Sequence, residues 1–264
     1  MPDQADQRGG ESAEIREERA KARAAFMRDL AHEVSTPLTP LAGYLRILQS
    51  EKLGPLSAQQ KRVVETMLLS VSRLTRIVEN LGDFASLGSE RAALSLEPVD
   101  ADALAEAVVE DLRPFIKDAR LNVALVKAGG PPVQADPRKL RQAVMNVVGN
   151  AVKFSPHGGE VLVEVAREPG RLRLSVYDQG PGIKEADHEG IFEPFHRAKA
   201  RAREENRHHP GSGLGLPVAR RILEAHGGRV LLESPPRTQP RAGGRIFTGS
   251  RFILELPDVA PPAR

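Results

Sequence analysis

The chain has no cysteine, which excludes a disulfide framework and any thiolate metal site and suits a reducing compartment. It has no tryptophan, and only 4% of its residues are aromatic. No apolar run approaches the ~20 residues that a membrane helix needs. The first residues, 1–19, are polar and lack the apolar stretch of a signal peptide, so the chain is expected to be soluble as written. Runs of one charge are absent too. Lys and Arg, 38 in all, are interspersed among 35 carboxylates for a formal net charge of +3, which leaves no nucleic-acid footprint although the pI is about 9.3.

What remains is the composition of an ordinary globular protein, 40% hydrophobic and 28% charged. A length of 264 residues predicts about two domains. Residues 1–10, with Gly9 and Gly10, are expected to fray, and the alternating charges from Glu11 favour a solvated helix. From Phe26 the apolar positions Leu30, Val34, Leu38, Leu41, Leu45 and Leu48 recur every three or four residues, an amphipathic stripe that Gly54-Pro55 breaks. A second helix starts after Ser57, a plausible N-cap, and carries Val64, Met67, Val71, Leu74, Val78, Leu81 and Ala85 in coiled-coil spacing. One hairpin of two such helices cannot cover both apolar faces, so pairing with a second copy into a four-helix bundle is expected. Gly88 and Ser89 are expected to end that helix.

From about Leu94 strand-like and helix-like pieces alternate. Residues 94–99 and 121–126 read as strands flanking a helix over 101–118. A strong helix over Pro137–Phe154 follows, with proline in its first turn. Residues 161–166 and 171–178 read as a hairpin around Glu168-Pro169-Gly170. A helix from Leu214 to about His226 stops at Gly227-Gly228, and strands over 229–233 and 245–256 close the pattern. This predicts an α/β sandwich with a mixed, mainly antiparallel sheet. Residues 196–212 carry no periodicity, the signature of a lid, and residues 234–244 read as an exposed loop.

Four segments carry chemistry. On the first helix His32 lies about 200° from both Leu30 and Val34, so it points away from the stripe. Glu33 can take the proton from one ring nitrogen and leave the other nucleophilic, and Thr36 shares the face. Pro37 is expected to bend the helix just beyond. An ordinary surface histidine is the plain alternative. A zinc-protease reading fails because position 36 is threonine. On the strong helix, Asn146, Asn150 and Lys153 share one face, where amide oxygen suits Mg2+ and lysine suits phosphate. A solvated polar stripe would look the same.

Asp178 ends a strand and is followed by Gly180 and Gly182, which let backbone approach a ligand. A carboxylate there can accept a hydrogen bond from an adenine amino group, although the pattern equally fits a hairpin turn. Gly211, Gly213, Leu214 and Gly215 lead into a helix whose amides could cradle phosphates, or could form only a hinge. Neither a Walker loop nor a dinucleotide fingerprint fits there.

Taken in order, His-Glu-x-x-Thr-Pro-Leu, Asn-x-x-x-Asn-Ala-x-Lys-Phe, Asp-x-Gly-x-Gly, Phe192-Glu193-Pro194-Phe195 and Gly-x-Gly-Leu-Gly-Leu closely resemble the sensor histidine kinases over roughly residues 25–257. The resemblance implies four segments: a signalling helix over 1–24, a dimerisation and histidine-phosphotransfer domain over 25–90, an ATP-binding domain of the Bergerat type over 94–258, and a tail over 259–264. It implies that Asp178 reads adenine, that Asn150 holds Mg2+, and that Lys153, Asn146 and Arg197 contact phosphates. The loop at 211–215 would close over them, with Phe192 and Phe195 anchoring the lid.

In related ATPases a catalytic glutamate holds the place of Asn146, and an amide there cannot activate water. The resemblance further implies a cytoplasmic homodimer that phosphorylates His32 from Mg-ATP and passes the phosphoryl group to an aspartate on a response regulator receiver domain, with Thr36 positioning water for the reverse phosphatase reaction. Ser35 departs from the family, which often has arginine there. The competing readings are a nucleotide-binding scaffold without transfer and a stand-alone ATPase. The intact His32, Glu33 and Asn150 argue against the first, and the missing carboxylate at 146 argues against the second.

Overall fold

The computed structural model describes residues 4–86, 94–196, 213–239 and 246–258, the side chains of residues 4–21, 23, 24, 73, 76 and 83–86 excepted. The chain divides into two compact units, Met1–Ala92 and Ala93–Arg264.

The first unit is a helical hairpin of α1 (Gln4–Gln49) and α2 (Ala58–Ser86). Helix α1 begins well before Glu11 and runs through Gly9 and Gly10. Two glycines cost roughly 2 kcal/mol, but extending a helix already nucleated downstream needs no new nucleus. It also continues past Pro37 and Pro40. In the turn, Glu51 accepts from the Leu56 amide at 3.0 Å and pairs with Lys61 at 2.8 Å. Ser57 and Gln60 then cap α2 reciprocally: the Gln60 amide donates to Ser57 Oγ at 3.2 Å and the Ser57 amide to Gln60 Oε1 at 2.8 Å.

The apolar stripes split between two surfaces. Ala31, Leu38 and Leu45 on α1 bury against Val71 and Val78 on α2, with Ala42, Leu48 and Leu68 at the margin. Each buried Leu or Val contributes ~1.5–3 kcal/mol. The other half of the expected stripe stays exposed within one chain: Leu30, Val34 and Leu41 on α1, and Met67 and Leu74 on α2. Helical periodicity marks both sets as apolar, but only one can face the single partner helix of a hairpin.

The second unit opens with β1 (Glu97–Val99), α3 (Ala101–Asp111), α4 (Arg113–Asp118) and β2 (Asn122–Val126). The helix expected over 101–118 is two helices, parted at Leu112 where Pro114 in the first turn of α4 cannot continue the ladder of amide donors. The short β3 (Val133–Ala135), unforeseen from the sequence, pairs antiparallel with β1. There follow α5 (Pro137–Phe154), β4 (Glu160–Glu168), β5 (Arg171–Asp178), α6 (Gly215–Ala225), β6 (Arg229–Glu233) and β7 (Arg251–Pro257). Residues 246–250, expected as strand, precede β7 as loop.

The main sheet has the order β2-β4-β5-β7-β6, with β2 and β4 parallel and every other pair antiparallel. Helices α3, α5 and α6 cover one face. Alternation along β5 places Leu172, Leu174 and Val176 in the core, and Asp178 ends that same row. On the opposite face Glu255, almost wholly buried, accepts from Arg173 at 2.6 Å. No helix among the described residues is long and apolar enough to cross a membrane.

Candidate functional site

In the first unit His32 is exposed on α1 while Ala31, its neighbour, packs against Gly82 of α2, where an added Cβ would come 3.3 Å from the alanine methyl. Glu33 and Thr36 are exposed beside it. The Thr36 hydroxyl donates to the His32 carbonyl at 2.9 Å, and that of Thr39 to the Ser35 carbonyl at 3.2 Å. Pro37 lacks the amide that would have met the Glu33 carbonyl. The imidazole therefore stands on a solvent-exposed helical face, with Glu33, its neighbour in sequence, exposed as well.

In the second unit the loop after β5 wraps the end of the strand. Asp178 is only 5% exposed. Its Oδ1 accepts from the amides of Gly180 at 2.8 Å and Ser250 at 3.1 Å. Burial raises its carboxyl to about 6, against the opposing pull of those two amides. A Cβ at Gly180 would come 2.8 Å from Oδ1 and 3.1 Å from the Phe154 carbonyl, and one at Gly249 would overlap the carboxylate. Gly182, at φ +70°, turns the chain back where few other residues could. Oδ2 takes no hydrogen bond from the described residues. Gln179 fastens the loop, accepting from the Glu160 amide at 2.9 Å and donating to the Ile246 carbonyl at 3.2 Å.

Helix α5 starts at Asp136, whose side chain accepts from the amides of Arg138 and Lys139. On it Asn146 is buried and Asn150 half-buried. Lys153 lies 4.9 Å over the Phe154 ring. Leu214, buried, precedes α6, and a Cβ on Gly215 would reach the Asn146 amide at 3.4 Å, so the glycine-rich start of α6 abuts the asparagine row. The ends of the expected lid are tied together: the Phe195 amide donates to the Gly213 carbonyl at 3.0 Å. Arg220 stacks on Phe192 at 5.5 Å, whereas Phe195 is half exposed. Arg197 and Gly211 lie outside the described residues.

The donor set fits magnesium and a purine nucleotide. Asn150 offers an amide oxygen with no hydrogen bond among the described residues, Lys153 a cation, and Asp178 a free carboxylate oxygen in a glycine-walled cradle. The sequence did not single out Gly249, Ser250 or Ser234, which frame Asp178 from another part of the chain. A Gly-Ser pair opening a strand was the available signal.

The two units thus present a helical hairpin with an exposed histidine and an α/β unit with a buried carboxylate at a sheet end, and the class of protein they define follows from the family models they match. Residues 22–90 match the family model of the His Kinase A (phospho-acceptor) domain, and residues 135–260 that of the histidine kinase-, DNA gyrase B-, and HSP90-like ATPases. The histidine protein kinase DivJ of Caulobacter vibrioides is 31% identical over 92% of this chain and 38% of its own length. The structure of full-length ShkA in complex with AMPPNP matches 92% of this chain and 48% of ShkA at TM-score 0.62 and 32% identity. The mycobacterial sensor histidine kinase MprB matches 61% of this chain and 97% of its own at TM-score 0.50 and 32% identity. The chain belongs to the sensor histidine kinases. It spans less than two thirds of the curated relatives first matched, 38%, 30% and 53% of their lengths.

Proposed function

We propose that this chain binds Mg-ATP in its second unit, phosphorylates His32, and passes the phosphoryl group to an aspartate of a response regulator receiver domain, acting as a homodimer in the cytoplasm. The domain assignment that goes with this is a signalling helix over 1–24, the dimerisation and phosphoacceptor domain over 25–90, the ATP-binding domain over 94–258 and a tail over 259–264.

The observation that carries the reading is Asp178. Its Oδ1 is held by two backbone amides while Oδ2 takes no hydrogen bond among the described residues, which suits a single hydrogen bond from an adenine amino group. Asn150 and Lys153 would then lie toward the phosphates, with Asn150 a ligand of the metal and Asn146, Arg197 and the loop at 211–215 around the nucleotide. Magnesium, when bound, would offset charge on the phosphate oxygens. Glu33 takes the proton from one nitrogen of His32 as the other attacks the γ-phosphorus. The new P–N bond forms as the P–O bond to ADP breaks. The buried amide of Asn146 cannot serve as a base for water, which favours transfer over hydrolysis. Thr36 would orient water for dephosphorylation of the regulator. The exposed His32–Glu33 pair counts against a scaffold without transfer.

Incubation with γ-labelled ATP tests the reading. Acid-labile, base-stable label should map to the peptide bearing His32, and His32→Gln should lose it while still binding ATP. Label retained by His32→Gln would refute the site, and rapid phosphate release without labelled protein would point to an ATPase.

A further inference from the structure

Ser234 follows β6, and its hydroxyl is where three segments meet. The Ile183 amide donates to its oxygen at 2.7 Å, the Gly249 carbonyl lies at 3.0 Å, and Ser250 Oγ lies at 3.1 Å. A serine oxygen offers one proton and two acceptor sites. An amide can only donate and a carbonyl can only accept. The proton of Ser234 therefore goes to Gly249, one acceptor site takes Ile183, and the Ser250 hydroxyl donates to the other. The whole hydrogen-bonding capacity of Ser234 is used inside the protein. A Cβ on Gly182 would come 3.1 Å from this oxygen, so the turn after Asp178 passes directly against it.

The same partners form the walls around Asp178. Ser250 donates its amide to Oδ1 and accepts from the Asp178 amide at 2.9 Å, and the Gly249 amide donates to the Asp178 carbonyl at 3.2 Å. On the other side the 180–183 turn supplies the Gly180 amide. Ser234 joins the two walls and has no hydrogen bond to Asp178.

We propose that Ser234 is a positioning residue for adenine recognition: it fastens the 180–183 turn to the 249–250 segment and so aims the free oxygen of Asp178 at the base's amino group. The proposal rests on the reading of Asp178 given above. One directional hydrogen bond tolerates little displacement, whereas phosphate binding by cations and helix-start amides depends less on angle. Loss of Ser234 therefore removes discrimination at the base before it removes binding of the phosphates.

The test titrates the whole chain with Mg-ATP and with Mg-inosine triphosphate, which has a carbonyl in place of the amino group. Relative to wild type, Ser234→Ala should lose about tenfold in affinity for ATP and change little for inosine triphosphate, and Ser234→Thr, which keeps the hydroxyl, should restore the preference. Without nucleotide, the Ser250 and Gly180 amides should exchange faster in Ser234→Ala, although neither loses its acceptor. An unchanged ATP preference in Ser234→Ala, an equal loss for both nucleotides, or unaltered exchange at those two amides would each overturn the proposal. A wild type without preference for ATP would instead overturn the reading of Asp178, and the exchange measurement would still decide whether Ser234 holds the cradle.

Discussion

The backbone amide of Asp136 donates to Nε2 of the buried His226 at 2.9 Å, and Nδ1 of the same ring faces the Ile222 carbonyl at 2.7 Å. Because an amide can only donate, Nε2 is the acceptor and Nδ1 carries the proton. The end of α6 is thereby locked to the start of α5, and these are the two helices that carry the glycine-rich segment and the asparagine row. His226→Leu strands the Asp136 amide and should lower stability by about 1–3 kcal/mol in denaturant unfolding. His226→Gln, which can still offer an acceptor, should lose less. Equal losses in both would show that only ring packing matters there.

Asp178 makes stability and binding oppose each other. Its carboxyl is at about 6 in the fold against 3.8 unperturbed, so the folded state holds the proton more tightly. Its contribution to stability is therefore largest below pH ~4, declines as pH rises to about 6, and is level above, a change of about 3 kcal/mol at most. Asp178→Asn should flatten this slope and raise the melting temperature of the nucleotide-free protein at pH 7, while weakening ATP binding at least about tenfold. In the wild type, ATP affinity should fall as pH drops below about 6. A slope that persists in Asp178→Asn would assign it to other groups.

Val34 and Leu41 on α1, with Met67 and Leu74 on α2, form the apolar surface that one hairpin leaves bare, Met67 at 49% and Leu74 at 48% exposure. Placing a charge there should cost little in a monomer and several kcal/mol in a bundle that buries it. Leu74→Glu should therefore shift sedimentation from dimer toward monomer while helicity by circular dichroism is kept. A dimer of undiminished affinity would place the interface elsewhere.

Thr36 already spends its proton on the His32 carbonyl, so its oxygen faces solvent as an acceptor. Thr36→Ala should leave labelling of His32 within about twofold of wild type and reduce regulator dephosphorylation by at least about tenfold. Equal loss in both assays would make Thr36 a helix-shaping residue instead.

Features that depend on near neighbours along the chain are legible in the residues alone. The shared face of Asn146, Asn150 and Lys153 follows from helical spacing and the Ser57 cap from its local chemistry, whereas His32 is exposed although Leu30 and Val34, the residues its angle was measured from, are exposed too. Features that depend on a second segment are not. Both apolar rows of α1 look alike in sequence, and the partner helix selects Ala31, Leu38 and Leu45 over Leu30, Val34 and Leu41. The extension of α1 through Gly9 and Gly10 likewise reflects a helix nucleated elsewhere, not local preference.

By itself the order of residues determined a helical hairpin carrying an outward histidine, followed by an α/β unit with a carboxylate at a strand end, because periodicity and turn chemistry act over a few residues. Only the tertiary structure decided what surrounds that carboxylate. Strand pairing between β5 and β7 brings Gly249 and Ser250 to Asp178 across 71 and 72 positions of chain, and Ser234 joins them from the end of β6. Register between distant strands sets those contacts, and no local pattern encodes it.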